Sequence, residues 1–343
     1  MQLLALETSC DETSAAVIVE GAVAGEAVSS QIQLHAEYGG VVPELATREH
    51  LRNLQPVVQR ALSQAGIQPD ELHAIAATQG PGLPPALMVG WKAAQSMSFA
   101  LGVPLFGINH VRAHLYSPWF TKNSSGTDWG AFLPNIGLVV SGGHTFMAKI
   151  LKPLEEQMIG TTQDDAAGEC FDKCAKLLGL PYPGGPDIDR LAREGDPKAF
   201  EFARPMLNQS NDNFSFSGLK TSVRYFLEKN EAIAKDNARL PDLCASIQAA
   251  IVEVLVKKTV RATRRERLEC VTVSGGVACN SGLREALRAT CAKHELSLRI
   301  ADARLCTDNA SMIGLLAAKQ IEQGQAPEPD TADIRPNWPI THT

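Results

Sequence analysis

The sequence lacks several features that would have classified it at once. No apolar run reaches the roughly 18 residues a membrane span needs. No basic stretch precedes the first apolar run, so neither a signal nor a transit peptide is expected, and the expected location is cytoplasmic. No CxxC pair occurs among the eight cysteines, which stand at 10, 170, 174, 244, 270, 279, 291 and 306. They read as reduced thiols in a chain too large to need staples. Cys170 and Cys174 have a spacing that could hold a metal, but two small residues on a buried helix face is the simpler reading. There is no GxxxxGK[ST] loop and no HExxH of the zinc proteases. An excess of positive charge is also missing. The net charge of −6 argues against non-specific coating of nucleic acid and leaves room for a local basic patch.

What is present is the composition of an ordinary globular protein, 44% hydrophobic and 20% charged, over 343 residues. That length suggests about two domains. Short apolar strands are expected at Leu3–Leu6, Ala15–Val19, Ala74–Thr78, Ile136–Val140, Phe146–Ile150 and around 271–273. Helices are expected at 44–65, where Leu51, Leu54, Val58 and Leu62 lie near helical spacing, and at 86–101, 242–268 and 281–292. Strands alternating with helices give an α/β class. Strand–turn–strand units about 135 residues apart suggest a duplicated fold. The tail from Gln323 is polar, carries Pro336 and Pro339, and reads as a surface wrap. The 121–130 loop reads as an insertion.

Three polar or glycine-rich turns and one histidine pair carry the chemistry. His110 and His114 stand at i and i+4, which puts both imidazoles on one helix face, about 5–6 Å apart at Cβ. One divalent ion can bridge that gap at the usual ligand distance of about 2.0–2.1 Å; a plain histidine pair is the other reading. Val111 stands where a zinc protease needs its glutamate. Asp308 is a candidate third ligand, or a simple helix cap. A His2Asp set with open positions polarises substrate oxygens. Ser141-Gly142-Gly143-His144-Thr145, Ser274-Gly275-Gly276 and Gln79-Gly80-Pro81-Gly82 are either tight turns or phosphate cradles. Asp164-Asp165-Ala166-Ala167-Gly168-Glu169 with Phe171-Asp172-Lys173 is an acidic helix start that could accept ribose hydroxyls or equally be favourable first-turn charges. Lys257, Lys258, Arg261, Arg264, Arg265 and Arg267 form a basic run on a helix, either a solvated face or an RNA contact.

Taken in order, Glu7-Thr8-Ser9-Cys10-Asp11-Glu12-Thr13, Gly39-Gly40-Val41-Val42-Pro43-Glu44, Gln79-Gly80-Pro81-Gly82-Leu83, the HxxxH, Ser141-Gly142-Gly143-His144-Thr145, Phe171-Asp172-Lys173, Tyr182-Pro183-Gly184-Gly185-Pro186, Phe216-Ser217-Gly218-Leu219-Lys220, Ser274-Gly275-Gly276-Val277-Ala278 and Thr307-Asp308-Asn309 resemble the tRNA N6-adenosine threonylcarbamoyltransferase family, formerly described as sialoglycoproteases. The match covers nearly the whole chain. The resemblance implies a two-lobed actin-like fold of the sugar-kinase and Hsp70 ATPase type, built from duplicated ribonuclease H-like domains. The expected lobes are 1–106 with 311–343, and 107–310 carrying metal and nucleotide. It implies transfer of threonylcarbamoyl from threonylcarbamoyl-AMP to N6 of adenosine 37 in tRNAs reading codons that begin with A. It implies one divalent metal, Fe2+ or else Zn2+, on His110, His114 and Asp308. The nucleotide part is expected on Val139, Val140, Ser141, Gly142, Gly143, Asp172, Gly185, Asp189 and Asn280. Expected partners are the tRNA anticodon loop, a degenerate paralogous subunit and a small P-loop ATPase, with no membrane. Pro85 stands where the family usually has glycine. A kinase, ATPase or nucleotide-binding scaffold on the same fold remains the alternative. For the transfer itself, Glu12, with Asp11 second, is the candidate to take the N6 proton; turn polarity is the other reading of both.

Overall fold

The computed structural model describes residues 1–121 and 126–340. Residues 122–125, inside the loop read as an insertion, lie outside the described residues. The chain divides into two compact units, Met1–Phe132 with Ala301–Ile340, and Leu133–Ile300.

The first unit begins with β1 (Gln2–Glu7), β2 (Glu12–Val19) and β3 (Ala22–Ser30). Then come α1 (Ile32–Ala36), α2 (Pro43–Ala65), β4 (Ala74–Gly80), α3 (Pro84–Leu101), β5 (Leu105–Asn109) and α4 (His110–Tyr116). The sheet order is β3-β2-β1-β4-β5. The first three strands pair antiparallel, whereas β1, β4 and β5 are parallel. The strands are nearly continuous apolar runs because both faces are covered. Leu4 and Leu6 face a core with Leu54, Val58, Ala61, Trp91 and Ala94 of α2 and α3. Pro84 and Pro85 occupy the first positions of α3, where a missing N–H loses no helical bond, so the departure from glycine leaves that turn intact.

The second unit repeats this plan. It holds β6 (Asn135–Val140), β7 (Thr145–Lys152), β8 (Glu155–Thr161), α5 (Ala167–Leu177), α6 (Gly184–Ala192), α7 (Ser217–Lys229) and α8 (Glu231–Ala234). It continues with α9 (Leu240–Arg265), β9 (Cys270–Ser274), α10 (Ser281–Lys293) and β10 (Ser297–Ile300). Its sheet order, β10-β9-β6-β7-β8, is that of the first unit read from the other edge, with the same parallel and antiparallel pairings. The duplication expected from the turns is therefore present strand for strand.

The chain then returns to the first unit through α11 (Ala303–Cys306) and α12 (Ala310–Glu322). On α12, a Cβ at Gly314 would lie 2.5 Å from Ile18 Cγ1 and 3.0 Å from the Ala5 Cβ, so the helix seats directly on β1 and β2. The unit boundaries differ from those expected. Residues 107–132 and 301–310 belong with the first unit, because β5 completes its parallel set and runs straight into α4. The histidine pair and Asp308 therefore sit in the first unit. Among the described residues, no helix is long and apolar enough to cross a membrane.

Candidate functional site

The histidine pair lies at the carboxyl ends of parallel strands, the end where open α/β sheets place their ligands. β5 ends at Asn109, whose side-chain Oδ1 caps α4 by accepting from the Arg112 N–H at 3.1 Å, and His110 opens that helix. His110 and His114 are both buried, and their rings meet edge to face with centroids 4.8 Å apart. Asp308 reaches them from far along the chain. Its Oδ1 lies 3.0 Å from His114 Nε2 and 3.5 Å from His110 Nε2. Asp308 does not cap α12, as one reading of the sequence had it. Asn309 does, accepting from the Met312 N–H at 2.8 Å, while the aspartate turns toward the histidines.

These three residues fit a divalent ion. One ligand atom from each lies within 4.8 Å of the others. Ligands about 2.0–2.1 Å from an ion stand about 3.0–3.4 Å from one another, which is the spacing around Asp308. The far nitrogen of His110 is held as metal-binding imidazoles usually are, by a carboxylate. Glu7, at the end of β1 and fully buried, places Oε2 2.9 Å from His110 Nδ1 and accepts from the Thr78 hydroxyl at 2.6 Å. Ser9 Oγ is a second neighbour of that nitrogen, at 3.2 Å. Burial would push His110 down, but the Asp308 and Glu7 carboxylates outweigh it and hold the imidazole up at about 9. Burial would likewise raise Glu7, yet His110 and the bonds it receives keep it below the ordinary carboxylate range. Glu7 and His110 thus face each other as opposite charges.

Asp11 and Glu12 stand beside this set. Glu12 is not in a turn; it is the first residue of β2, opposite Ser30, and only 8% exposed. Burial, reinforced by Asp308 and Asp11, pushes it up to about 10. The turn before it is braced by His50, whose Nε2 donates to the Cys10 carbonyl at 3.0 Å while its Nδ1 sits 2.8 Å from the Thr13 hydroxyl. Burial holds His50 below its ordinary value, in keeping with this neutral, acceptor-bearing tautomer.

In the second unit the two glycine turns lie side by side, since Val139 pairs with Ser274 on adjacent parallel strands. Gly275 has φ +89, and a Cβ there would collide with the Val140 carbonyl. Gly142, Gly143 and Gly276 instead face open space. Asp172 accepts from the N–H groups of Gly184 and Gly185 at 2.8 and 3.3 Å, and burial raises its carboxyl in spite of them. Asp189 holds the start of α10, accepting from the Ser281 N–H at 3.0 Å and its hydroxyl at 2.7 Å. Asn280 caps the same helix and donates to Gln248 Oε1 at 2.6 Å. The structure therefore gathers Val139–Gly143 with Gly275 and Gly276. It shows Asp172, Asp189 and Asn280 each fixing a helix start.

The comparisons with known proteins decide the family. The family model described as tRNA N6-adenosine threonylcarbamoyltransferase matches residues 22–315. A protein of that name from Chlorobium luteolum is 50% identical over 337 residues, covering 95% of each chain. Another, from Geotalea uraniireducens, is 47% identical over 341 residues, covering 99% of this chain and 97% of its own. The chain belongs to the tRNA N6-adenosine threonylcarbamoyltransferase family. It is a transferase, and its family modifies tRNA. Solved structures agree on the actin-like fold alone. T. kodakarensis HypF aligns over 94% of this chain and 48% of its own, with a TM-score of 0.63 and 15% identity. A ROK hexokinase from Thermus thermophilus aligns over 94% and 100%, with a TM-score of 0.51 and 15% identity.

Two features of this transferase left open by the sequence have internal partners in the structure. The acidic helix start is used internally. Asp164 accepts from the hydroxyls of Ser215 and Ser217 at 2.6 and 2.7 Å, and Lys173 pairs with Asp165 and Glu169. The basic run is not a uniform face. Lys258 is fully buried and donates to the Asn211 and Asn213 carbonyls, and Arg265 forks onto Asp212 at 2.9 and 2.6 Å. These cations hold the 207–213 loop against α9. Glu7 and His50 were missed as functional residues. The signal for Glu7 was an acidic residue closing an apolar strand; for His50 there was none beyond its place on a helix.

Proposed function

We propose that this transferase moves the threonylcarbamoyl group from threonylcarbamoyl-AMP to N6 of adenosine 37 in tRNAs that read codons beginning with A. The observation that supports this most is the His110–His114–Asp308 set, backed by Glu7, in a chain of a family named for this transfer. A divalent ion there, Fe2+ or else Zn2+, would supply Lewis-acid polarisation of a donor oxygen. The chain's own residues do the rest. The backbone N–H groups of Gly142, Gly143 and Gly276 would take the AMP phosphate, with Val139, Val140 and Ser141, whose own N–H donates to the His144 carbonyl at 2.8 Å, holding the turn. Asp172, Gly185, Asp189 and Asn280 fix the helix starts around the nucleoside. The contribution of these groups is orientation.

N6 of adenosine is a poor nucleophile because its lone pair is delocalised into the ring. Attack on the carbamoyl carbon forms the N–C bond, expels AMP and leaves one proton to be removed from N6. Glu12 is the candidate to take it, with the less buried Asp11 second. A carboxyl raised to about 10 holds its own proton at neutral pH. Positive charge beyond that of His110, such as a divalent ion on His110, His114 and Asp308 would bring, is therefore needed before Glu12 can act as a base. The adenosine must leave the anticodon-loop stack, which requires a few kcal/mol; binding then rests on a local basic surface, shared with partner subunits, and is salt-sensitive through its phosphate contacts. A degenerate paralogous subunit, a small P-loop ATPase and a cytoplasmic setting complete the reading.

The test is His110→Ala combined with His114→Ala in cells that carry no other copy, followed by nucleoside analysis of total tRNA. Loss of threonylcarbamoyladenosine is expected. Its persistence at full level overturns the reading.

A further inference from the structure

We propose that the C-terminal strap, through the main-chain carbonyls of Pro336 and Trp338, positions His110 and thereby sets how tightly the His110–His114–Asp308 set holds its ion. This rests on the metal reading above and concerns residues that lie outside the metal set and the nucleotide turns.

Two independent routes run from the strap to the imidazole. The first passes through Asn109, which is 2% exposed. Its Oδ1 caps α4, and its Nδ2 donates to the Trp338 carbonyl at 3.1 Å. The residue directly before His110 is thus held from both ends of one side-chain amide. The second route passes through the turn after β4. The Pro336 carbonyl accepts from the Gly82 N–H at 3.2 Å, and the next residue, Leu83, donates to the Ser9 carbonyl at 2.9 Å. Ser9 Oγ then lies 3.2 Å from His110 Nδ1.

Neither route has slack. A Cβ at Gly82 would sit 2.6 Å from the Ser9 carbonyl oxygen, and one at Gly80 would collide with the Arg335 carbonyl. The strap is itself tied down. Arg335 N–H donates to the Gln79 carbonyl at 2.7 Å, Gln79 Nε2 donates to the Asp333 carbonyl at 2.9 Å, and Trp91 Nε1 donates to that of Ala332 at 3.1 Å. The Arg335 guanidinium stacks 4.7 Å over the Trp338 ring. A tail that only covered apolar surface would have no need to place one carbonyl on the residue before His110 and another on the turn that carries Ser9. Ion ligands must be placed to within about 0.2 Å, and removing outer-shell partners weakens binding about 10–100-fold. The strap acts one step further out, so about tenfold is expected.

The experiment is a Co2+ titration of the full chain, read by the visible absorption band, whose energy and intensity report ligand geometry. Two variants are compared with the wild type. Asn109→Ser keeps a capping oxygen and removes only the donor to Trp338. A chain ending after Arg335 removes both carbonyls. We expect Co2+ binding about three- to tenfold weaker in Asn109→Ser and about tenfold weaker in the shortened chain, each with a displaced band. Wild-type affinity and spectrum in Asn109→Ser and in a folded shortened chain overturn the proposal; if the shortened chain does not fold, Asn109→Ser decides alone. Absence of a cobalt band in the wild type overturns the metal reading itself, an outcome distinct from a wild-type band that the variants leave unchanged.

Discussion

Glu7 and His110 form a buried pair, with Oε2 2.9 Å from Nδ1 and side-chain exposures of 0% and 6%. The carboxylate fixes which imidazole nitrogen remains for an ion. Glu7→Gln preserves shape and removes the charge. Divalent-metal affinity should fall about 10–100-fold while the circular dichroism spectrum is kept, and competition against a fluorescent zinc chelator would measure the change. Unchanged affinity would show that the pair is merely structural.

The two neighbouring glycines of the second unit should respond differently. Gly276→Ala meets open space and should melt within a degree or two of the wild type, yet weaken binding of AMP measured by calorimetry. Gly275→Ala forces a side chain into positive φ against the Val140 carbonyl and should destabilise the fold by about 1–3 kcal/mol.

Gly314 sets the distance between α12 and the first sheet. Gly314→Val would drive methyl groups into Ile18 and Ala5. A loss of about 1–3 kcal/mol or more in denaturant unfolding is expected. A variant as stable as the wild type would mean that the helix does not seat where the structure puts it.

Lys258 gives a pH dependence. Burial, with Arg261 adding to it, lowers its ammonium from 10.5 to about 8. Between those values the unfolded chain holds a proton that the folded chain has released, so this residue adds stability as pH rises from about 8 to 10.5. Lys258→Met removes two donors from the 211–213 carbonyls and should cost about 1–3 kcal/mol at pH 7. Urea unfolding of both proteins at pH 7, 8.5 and about 10 should show the wild type gaining on the variant with pH. A constant gap would refute the assignment.

Much of the fold was legible because strands buried on both faces are apolar runs, and α2, α3, α9 and α10 carry long helical patterns. Errors arose where polar residues are buried. Glu12, Thr13 and Ser14 look like a turn, but they pair with Ser30, Ser29 and Val28. The unit boundary was misplaced because no composition change marks 107 or 310; only strand pairing assigns them. Within the site, His110 and His114 were legible from a spacing of four. Asp308 lies 194 residues from His114, and Glu7 lies 103 from His110. Such pairs are made by folding: Asp308 is a candidate from its own segment, Thr307-Asp308-Asn309, and from the family resemblance, whereas Glu7 was not singled out. The internal role of the basic run was hidden for the same reason, since its partners at 207–213 lie about fifty residues away.

The central claim is that transfer to tRNA depends on an ion held by His110, His114 and Asp308. The most direct measurement is threonylcarbamoyladenosine formed on tRNA by the purified enzyme with the partner proteins proposed above, after chelation and then after stepwise return of Fe2+ or Zn2+. Product is expected to fall to background on chelation and to return with about one equivalent of metal in the wild type, but not in Asp308→Ala. Full product in the chelated enzyme, or in Asp308→Ala, would contradict it.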